Sequence, residues 1–138
     1  MIRMSLRAYA CLGLSRDFDI GKITPRIGLK PSKSIAKCTK NPERGIPKTA
    51  LLRYAQPHSE DDVPDVIALA DEVVRALEPY TADLRKIVEK HDVQARLEVV
   101  LVVDKRVDLS TPAIGFSTRA VAFLAQIQAF IDVDTYFE

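Results

Sequence analysis

Two aspartates near the end of the chain have a spacing that could support metal chemistry. Asp132 and Asp134 lie in an alternating run over residues 130–137. Side chains two apart on a strand point the same way, with about 7 Å between their Cα atoms. Two carboxylates on one face could bind Mg²⁺ or Ca²⁺ if a third oxygen ligand came from elsewhere. No acidic motif or glycine turn nearby completes such a site, so the pair is more simply the wet face of an amphipathic strand.

Motifs for nucleophilic or phosphate chemistry are missing from the sequence. Cys11 and Cys38 share no motif with His58 or His91, the five glycines are scattered, and no GxSxG elbow occurs. We therefore predict no catalytic residue, no metal and no cofactor. A weak metal-dependent enzyme centred on Asp132 and Asp134 remains an alternative.

A second set of residues could bind a partner. They fall on the polar faces of predicted strands, where opposite charges on neighbouring strands contribute about 0.2–1 kcal/mol per pair. Such pairing would be purely structural, whereas tyrosines and arginines are also the residue types that dominate binding interfaces. The candidate binding residues are Arg7, Tyr9, Arg96, Glu98, Asp132, Asp134 and Tyr136.

Charge is divided along the chain. Residues 1–58 hold twelve Lys or Arg and three Asp or Glu, whereas residues 59–138 hold eight basic and sixteen acidic groups. The basic hairpin over residues 30–53 could contact nucleic-acid phosphates. However, no stacking aromatics alternate with its charges, and the acidic remainder of the chain can neutralise them. The sequence thus favours a protein partner or a homodimer, with a nucleic-acid-binding module as the alternative.

Strand patterns place these residues in a sheet. Residues 4–14, 93–103 and 130–137 alternate between apolar and polar positions, which predicts half-buried strands. Residues 33–55 read as a hairpin, with a loop rich in turn-forming residues between its arms. Because both terminal runs alternate in this way, we expect them to lie edge to edge in one sheet.

Helices are indicated between these strands. Asp19 can cap a short helix over residues 21–29, and Pro64 suits the first turn of a long amphipathic helix. Pro79 either starts a second helix or kinks the first. Ser117 can cap the last helix. The element order is β-α-β-β-α-β-α-β.

This order predicts a single α+β domain spanning residues 1–138. Hairpin-linked strands with inserted helices indicate an antiparallel or mixed sheet of about five strands, with helices mainly on one face and a broadly ferredoxin-like arrangement. The chain has no apolar run long enough to span a bilayer and no signal-peptide pattern at residues 1–7. With two cysteines expected as free thiols, we predict a cytoplasmic protein without membrane contact.

Several segments resemble a known family. They are residues 23–32 (ITPRIGLKPS), 77–79 (LEP), 112–114 (PAI), 123–125 (FLA) and 131–136 (IDVDTY). Together they resemble the mainly bacterial family called domain of unknown function 4279 along nearly the whole chain. Many members carry a Trp in the hairpin arm that here reads TALLRY over residues 49–54. The resemblance implies a small stand-alone α+β domain and implies no reaction.

These observations favour a non-catalytic domain that binds another protein or itself. Its size would also suit an immunity-type protein, which protects a cell by binding a toxin. The reasons are the lack of catalytic motifs, the divided charge, and the arginines and tyrosines on predicted polar strand faces.

Overall fold

The structure is a computed structural model that describes residues 7–103 and 113–137. Its α-helices are α1 (Ile20–Ile23), α2 (Val66–Leu77), α3 (Thr81–Lys90) and α4 (Thr118–Gln126), with short 3-10 turns at Thr24–Arg26, Pro42–Arg44 and Glu78–Tyr80. Its strands are β1 (Ala8–Arg16), β2 (Lys33–Ile35), β3 (Ala50–Tyr54), β4 (His58–Ser59), β5 (Gln94–Val103) and β6 (Phe130–Phe137).

The strands form one mixed sheet. Its order is β2-β3-β1-β5-β6, and β4 pairs with β1 beyond the end of β3. All pairs are antiparallel except β5 and β6, which are parallel and are connected through α4. A parallel pair needs such a crossover because its strands start at the same edge. The predicted α+β fold is confirmed, with six strands among the described residues where the sequence predicted about five. The ferredoxin-like comparison is not confirmed.

The two terminal runs are not edge to edge, contrary to the expectation from the sequence. β5 lies between β1 and β6 and pairs with both of them. On its other side, β1 pairs with β3 and β4, so β6 cannot pair with it there. The crossover through α4 instead returns the chain to the outer side of β5. Residues 4–6 of the first predicted strand lie outside the described residues.

One hydrophobic core lies between the helices and one face of the sheet. Leu12 and Leu14 of β1 and Leu97 of β5 are fully buried in it, as are Leu77 of α2 and Leu84 of α3. Fully burying a leucine side chain contributes about 1.5–3 kcal/mol, so this face accounts for much of the stability. Buried residues of α1, α2, α3 and α4 all belong to this one cluster, which places the helices on a single face.

Not all of the predicted helix-end signals are confirmed. Pro64 is not in the first turn of α2, because it lies one residue before Asp65, which caps that helix.

The other helix ends include one further difference from the predicted signals. Ser117 accepts a hydrogen bond from the Ala120 amide at 3.1 Å, which confirms it as the cap of α4. Pro79 lies in the 3-10 turn that leads into α3, as the sequence indicated. The helix predicted over residues 21–29 is wrong in length, because α1 ends at Ile23 and a 3-10 turn follows. Pro25 lacks the amide hydrogen that a continued α-helix would need there.

A bulge separates β3 from β4 and changes which side chains share a face. Tyr54 lies opposite Leu12, whereas His58 lies opposite Tyr9, so the β3–β4 segment has one extra residue relative to β1. Ala55 adopts a left-handed backbone conformation, with φ at 52°, within this bulge. As a result, His58 is on the same face as Tyr9, although Tyr54 is on the core face.

None of the helices in residues 7–103 and 113–137 is long and apolar enough to cross a membrane. Cys11 and Cys38 are both free, as expected from the sequence, and only Cys11 is buried.

Candidate functional site

The face of the sheet opposite the helices carries most of the predicted binding residues, and we call it the open face. Among the described residues, its buried members Cys11 and Val100 lie outside the hydrophobic cluster that contains the helices. The strand register fixes which side chains share it. The residues on the open face are Lys33, Ile35, Leu51, Arg53, Gly13, Ser15, Gln94, Arg96, Phe130, Cys11, Glu98, Asp132, Tyr9, His58, Val100, Asp134, Val102 and Tyr136.

A single carboxylate lies at the centre of the open face. Glu98 is only 6% exposed, and it accepts hydrogen bonds from three side chains. Arg53 donates from Nε to Oε2 at 3.0 Å, and Arg96 donates from Nε and Nη2 to Oε1 at 2.8 Å. The Cys11 thiol donates to Oε2 at 3.1 Å. A buried charge needs such partners, because an unpaired one would be strongly destabilising.

Neighbouring strands bring these groups together. Cys11 on β1 lies directly opposite Glu98 on β5. Gly13 lies between Arg53 on β3 and Arg96 on β5 in one cross-strand row. A Cβ atom at Gly13 would be 3.2 Å from Cδ of Glu98, closer than ordinary van der Waals contact. Glycine therefore leaves the space that the carboxylate occupies between the two guanidinium groups.

We call Glu98, Arg53, Arg96, Cys11 and Gly13 the Glu98 cluster. Contacts within this cluster change the pKa values of Glu98 and Cys11. Burial by itself would raise the pKa of Glu98, but the hydrogen bonds from Cys11 and Arg96 and the charges of Arg53 and Arg96 hold it below its usual value. Burial, together with the hydrogen bond to Glu98 and its negative charge, raises the pKa of Cys11 strongly. Glu98 is therefore an anion at neutral pH, and Cys11 is a protonated donor. Because the thiolate is the reactive form of cysteine, this geometry does not make Cys11 a nucleophile.

Tyrosines lie around this cluster. Tyr9 is half-buried, and burial raises the pKa of its phenol above the usual value despite the opposing charge of Arg53. Tyr136 is 57% exposed near the outer edge of the sheet. His58 is exposed and lies opposite Tyr9 on the adjoining strand. The open face thus offers aromatic rings beside fixed charged groups.

Charge changes sign across the open face. Lys33 and Arg53 lie opposite each other on β2 and β3, at one side of the sheet. Asp132 and Asp134 lie on β6 at the other side, next to Glu98 and Val100 of β5. Within the described part of the chain, neither aspartate forms an ion pair. The face therefore has a basic side, which shares Arg53 with the cluster around Glu98, and an acidic side on β6.

Most of the predicted site residues meet on this surface. Tyr9, Arg96, Glu98, Asp132, Asp134 and Tyr136 share the open face, although β1 and β6 are not neighbours. Arg7 lies just before β1, and its Nη2 is 3.8 Å from Oδ1 of Asp62.

Three residues of the cluster were not among the predicted site residues: Arg53, Cys11 and Gly13. Alternation placed Cys11 and Gly13 on the polar face of the first strand. Only the register of β3 against β1 brings Arg53 to Glu98, and no sequence signal specified that register.

The other chemical hypotheses gain little from the geometry. Among residues 7–103 and 113–137, no three His, Cys, Asp or Glu residues are grouped to hold a metal ion, so the structure brings no third such residue to Asp132 and Asp134. In the basic hairpin, Lys37 is paired with Asp17, and Arg53 is engaged by Glu98.

Two hollows on the described surface lie away from the Glu98 cluster. One is formed where β1 leads into α1, beside Lys37, and the other lies between β4 and the start of α2. Neither is lined by Arg53, Arg96 or Glu98. The cluster thus belongs to neither of these two hollows.

Comparison with known proteins identifies the family and gives no activity. No curated protein and no solved structure shows a significant match to the chain. The family model described as domain of unknown function (DUF4279) matches residues 5–138. Since this match covers nearly the whole sequence, the chain belongs to the DUF4279 family.

Proposed function

We propose that this protein is a non-catalytic domain that binds another protein through the open face. The observation that carries the proposal is the Glu98 cluster, where Arg53, Arg96 and Cys11 hold one carboxylate in a fixed position on a sheet face free of helices in the described chain. Two free thiols suit a reducing compartment, so we place this function in the cytoplasm.

The cluster supports binding because it is already organised. Hydrogen bonds to Glu98 restrain two arginine side chains that would otherwise lose rotamer freedom when a partner binds. Arg and Tyr are the residue types most often responsible for binding energy, and Arg96 lies on the same face as Tyr9 and Tyr136. The protonated state of Cys11 supports a structural role for the thiol rather than a catalytic one.

The divided charge indicates what a partner should look like. A matching surface needs acidic groups opposite Lys33 and basic groups opposite Asp132 and Asp134. A second copy is one way to supply this pattern. A two-fold axis parallel to the strands would place the basic side of one open face over the acidic side of the other. A toxin that the protein neutralises is another candidate partner with the same requirement.

Capture from the native host tests this proposal. The wild-type chain is compared with Arg96→Ala and Tyr136→Ala variants, and with a control that carries Ile67→Ala and Val121→Ala on the exposed helical side. Glu98 keeps Arg53 and Cys11 in the first variant, so the fold is expected to persist, and circular dichroism checks this. We expect the open-face variants to bind the captured protein at least about tenfold more weakly, and the control to bind normally.

Sedimentation of the purified protein decides whether the partner is a second copy. A wild-type dimer that the open-face variants abolish would assign the surface to self-association. Equal capture by the wild-type chain and both open-face variants, with no change in oligomeric state, would contradict the proposal.

Nucleic-acid binding is the second candidate function. Lys33, Lys40 and Lys48 on the basic hairpin are exposed and form no ion pair within the described residues. This hypothesis predicts a gel shift with RNA or DNA at low salt, and an affinity that falls steeply as salt is added. Absence of any shift at low salt would remove it.

A further inference from the structure

The outer edge of β6 is long and exposes apolar side chains. β6 is the last strand in the sheet order, and its only strand partner in the described chain is β5. It spans eight residues, whereas the opposite edge strand, β2, spans three. Large hydrophobic side chains stay exposed along it, including Phe130 at 43%, Ile131 at 37% and Phe137 at 62%. Such an edge presents unpaired backbone groups that can bind another strand.

Its charges select the kind of strand that fits. Asp132 and Asp134 are the only charged residues in β6, and both lie on the open face. Val133 lies between them on the core side. A strand paired here would place alternate side chains opposite the two aspartates and the intervening ones beside Ile131 and Val133. Lysine or arginine fits the first set, and β-branched apolar residues fit the second.

A second copy of β6 does not meet this requirement. Two copies related by a two-fold axis, with their open faces on the same side, can pair centred on Asp132, Val133 or Asp134. The register centred on Val133 sets Asp132 opposite Asp134 twice. The other two registers set an aspartate opposite its own copy. Like charges directly opposite each other are destabilising, which disfavours these three registers. Registers centred on Ile131 or Thr135 avoid that contact, but they place no Lys or Arg opposite an aspartate, because β6 contains neither residue type.

We propose that the β6 edge binds an extended strand of a partner protein, one that alternates basic and β-branched apolar residues. Backbone hydrogen bonds to β6 supply affinity, and the basic side chains opposite Asp132 and Asp134 supply specificity. This inference does not depend on the Arg53–Glu98–Arg96 cluster. It goes beyond the proposed function, because it assigns a mode of recognition to a sheet edge rather than to the face.

Capped synthetic peptides test the proposal by fluorescence polarisation with the purified chain. The probe is Thr-Val-Lys-Val-Lys-Val-Thr, and the matched peptide has Glu in place of both Lys. Two further versions of the probe are N-methylated, one on the Lys amides and one on the intervening Val amides. N-methylation removes hydrogen-bond donors from one edge of the peptide at a time, so it separates strand pairing from simple charge attraction.

We expect the Lys peptide to bind at least about tenfold more tightly than the Glu peptide. One N-methylated version should lose binding, and the other should keep it. Replacing Asp132 and Asp134 with Lys should reverse the preference between the peptides. A control with Glu60→Lys and Asp83→Lys, which changes net charge equally at exposed positions elsewhere, should preserve it.

Three results would overturn the proposal. They are equal binding of the Lys and Glu peptides, equal tolerance of both N-methylated versions, and a wild-type dimer that the Lys peptide dissociates. The last result would show that a second copy occupies the edge. Arg96→Ala should leave peptide binding intact, so failure of the open-face proposal can be distinguished from failure of this one.

Discussion

Cys11 donates a hydrogen bond from its thiol to the carboxylate of Glu98, its direct cross-strand neighbour, across 3.1 Å. The same oxygen accepts from Arg53, and the other oxygen accepts from Arg96. Three strands therefore meet at one carboxylate on a face that lacks helices in the described chain. Because the charge of Glu98 is both buried and compensated, its hydrogen bonds fix the positions of the three side chains that donate to it.

Glu98→Gln should destabilise the fold. The substitution removes the anion and leaves two partly buried guanidinium groups facing each other without compensation. We expect a loss of about 2–4 kcal/mol in the free energy of unfolding, somewhat below the full cost of breaking a buried pair because both arginines reach solvent. Urea unfolding at pH 7 measures this change.

Glu89→Gln is the matched control for that experiment. Glu89 pairs with Arg85 one helical turn away, and both side chains are well exposed. Exposed ion pairs of this kind contribute little to stability, so the free energy of unfolding should change by no more than about 0.5 kcal/mol. Equal effects of the two substitutions would show that Glu98 is not a special position.

The contribution of Glu98 should disappear in acid. Its pKa is lower in the folded chain than in the unfolded chain, so its stabilising effect is present above the unfolded value of about 4.3 and is lost as pH falls through the folded value. The difference in unfolding free energy between wild type and Glu98→Gln should therefore be constant from about pH 7 to 5 and shrink below about pH 4. A difference that grows in acid would contradict the assigned ionisation.

Gly13→Ala should disturb the same cluster by a steric route. The added Cβ would be 3.2 Å from Cδ of Glu98. The Glu98 carboxylate cannot move away freely, because three side chains donate hydrogen bonds to it. We expect a loss of about 1–2 kcal/mol in urea unfolding.

Gly115→Ala serves as the control for this steric effect, since its Cβ would meet Ile67 at an ordinary 3.5 Å. The free energy of unfolding of Gly115→Ala should differ from that of the wild-type protein by no more than about 0.5 kcal/mol. If both substitutions are neutral, the space beside Glu98 is not restricted.

The two thiols should differ in reactivity. Cys38 is exposed, whereas Cys11 is fully buried with its pKa raised by burial and by Glu98. Titration with a thiol reagent at pH 8 should label Cys38 rapidly in the native protein and Cys11 only after unfolding. Cys38→Ser should then show no fast labelling, and fast labelling of that variant would contradict the buried position of Cys11.

Local patterns in the sequence were enough to predict much of the fold. Period-two alternation identified β5, and the hydroxyl of Ser117 identified the start of α4, because both signals depend on neighbouring residues alone. The same alternation placed Arg96, Glu98 and Tyr136 on polar strand faces, where the structure has them.

Strand order and burial could not be read in the same way, because both depend on contacts between distant parts of the chain. Alternation does not reveal that β5 separates β1 from β6, nor that the bulge at Ala55 turns His58 toward the open face. Glu98 looks like a solvated residue in the sequence. In the folded chain it is buried, and one of its hydrogen-bond donors, Arg53, is 45 residues away in the sequence.

Two arginines, Arg53 and Arg96, hold Glu98 by hydrogen bonds, and arginine side-chain NMR tests this central claim directly. In a ¹H–¹⁵N spectrum at neutral pH, the Nε–H groups of Arg53 and Arg96 should exchange slowly with solvent, because each donates to a buried carboxylate. Both signals should shift and exchange faster in Glu98→Gln, while that of Arg85, which serves as the exposed reference, should not change. If the Nε–H groups of Arg53 and Arg96 exchange as fast as that of Arg85 in the wild-type protein, their hydrogen bonds to Glu98 are contradicted.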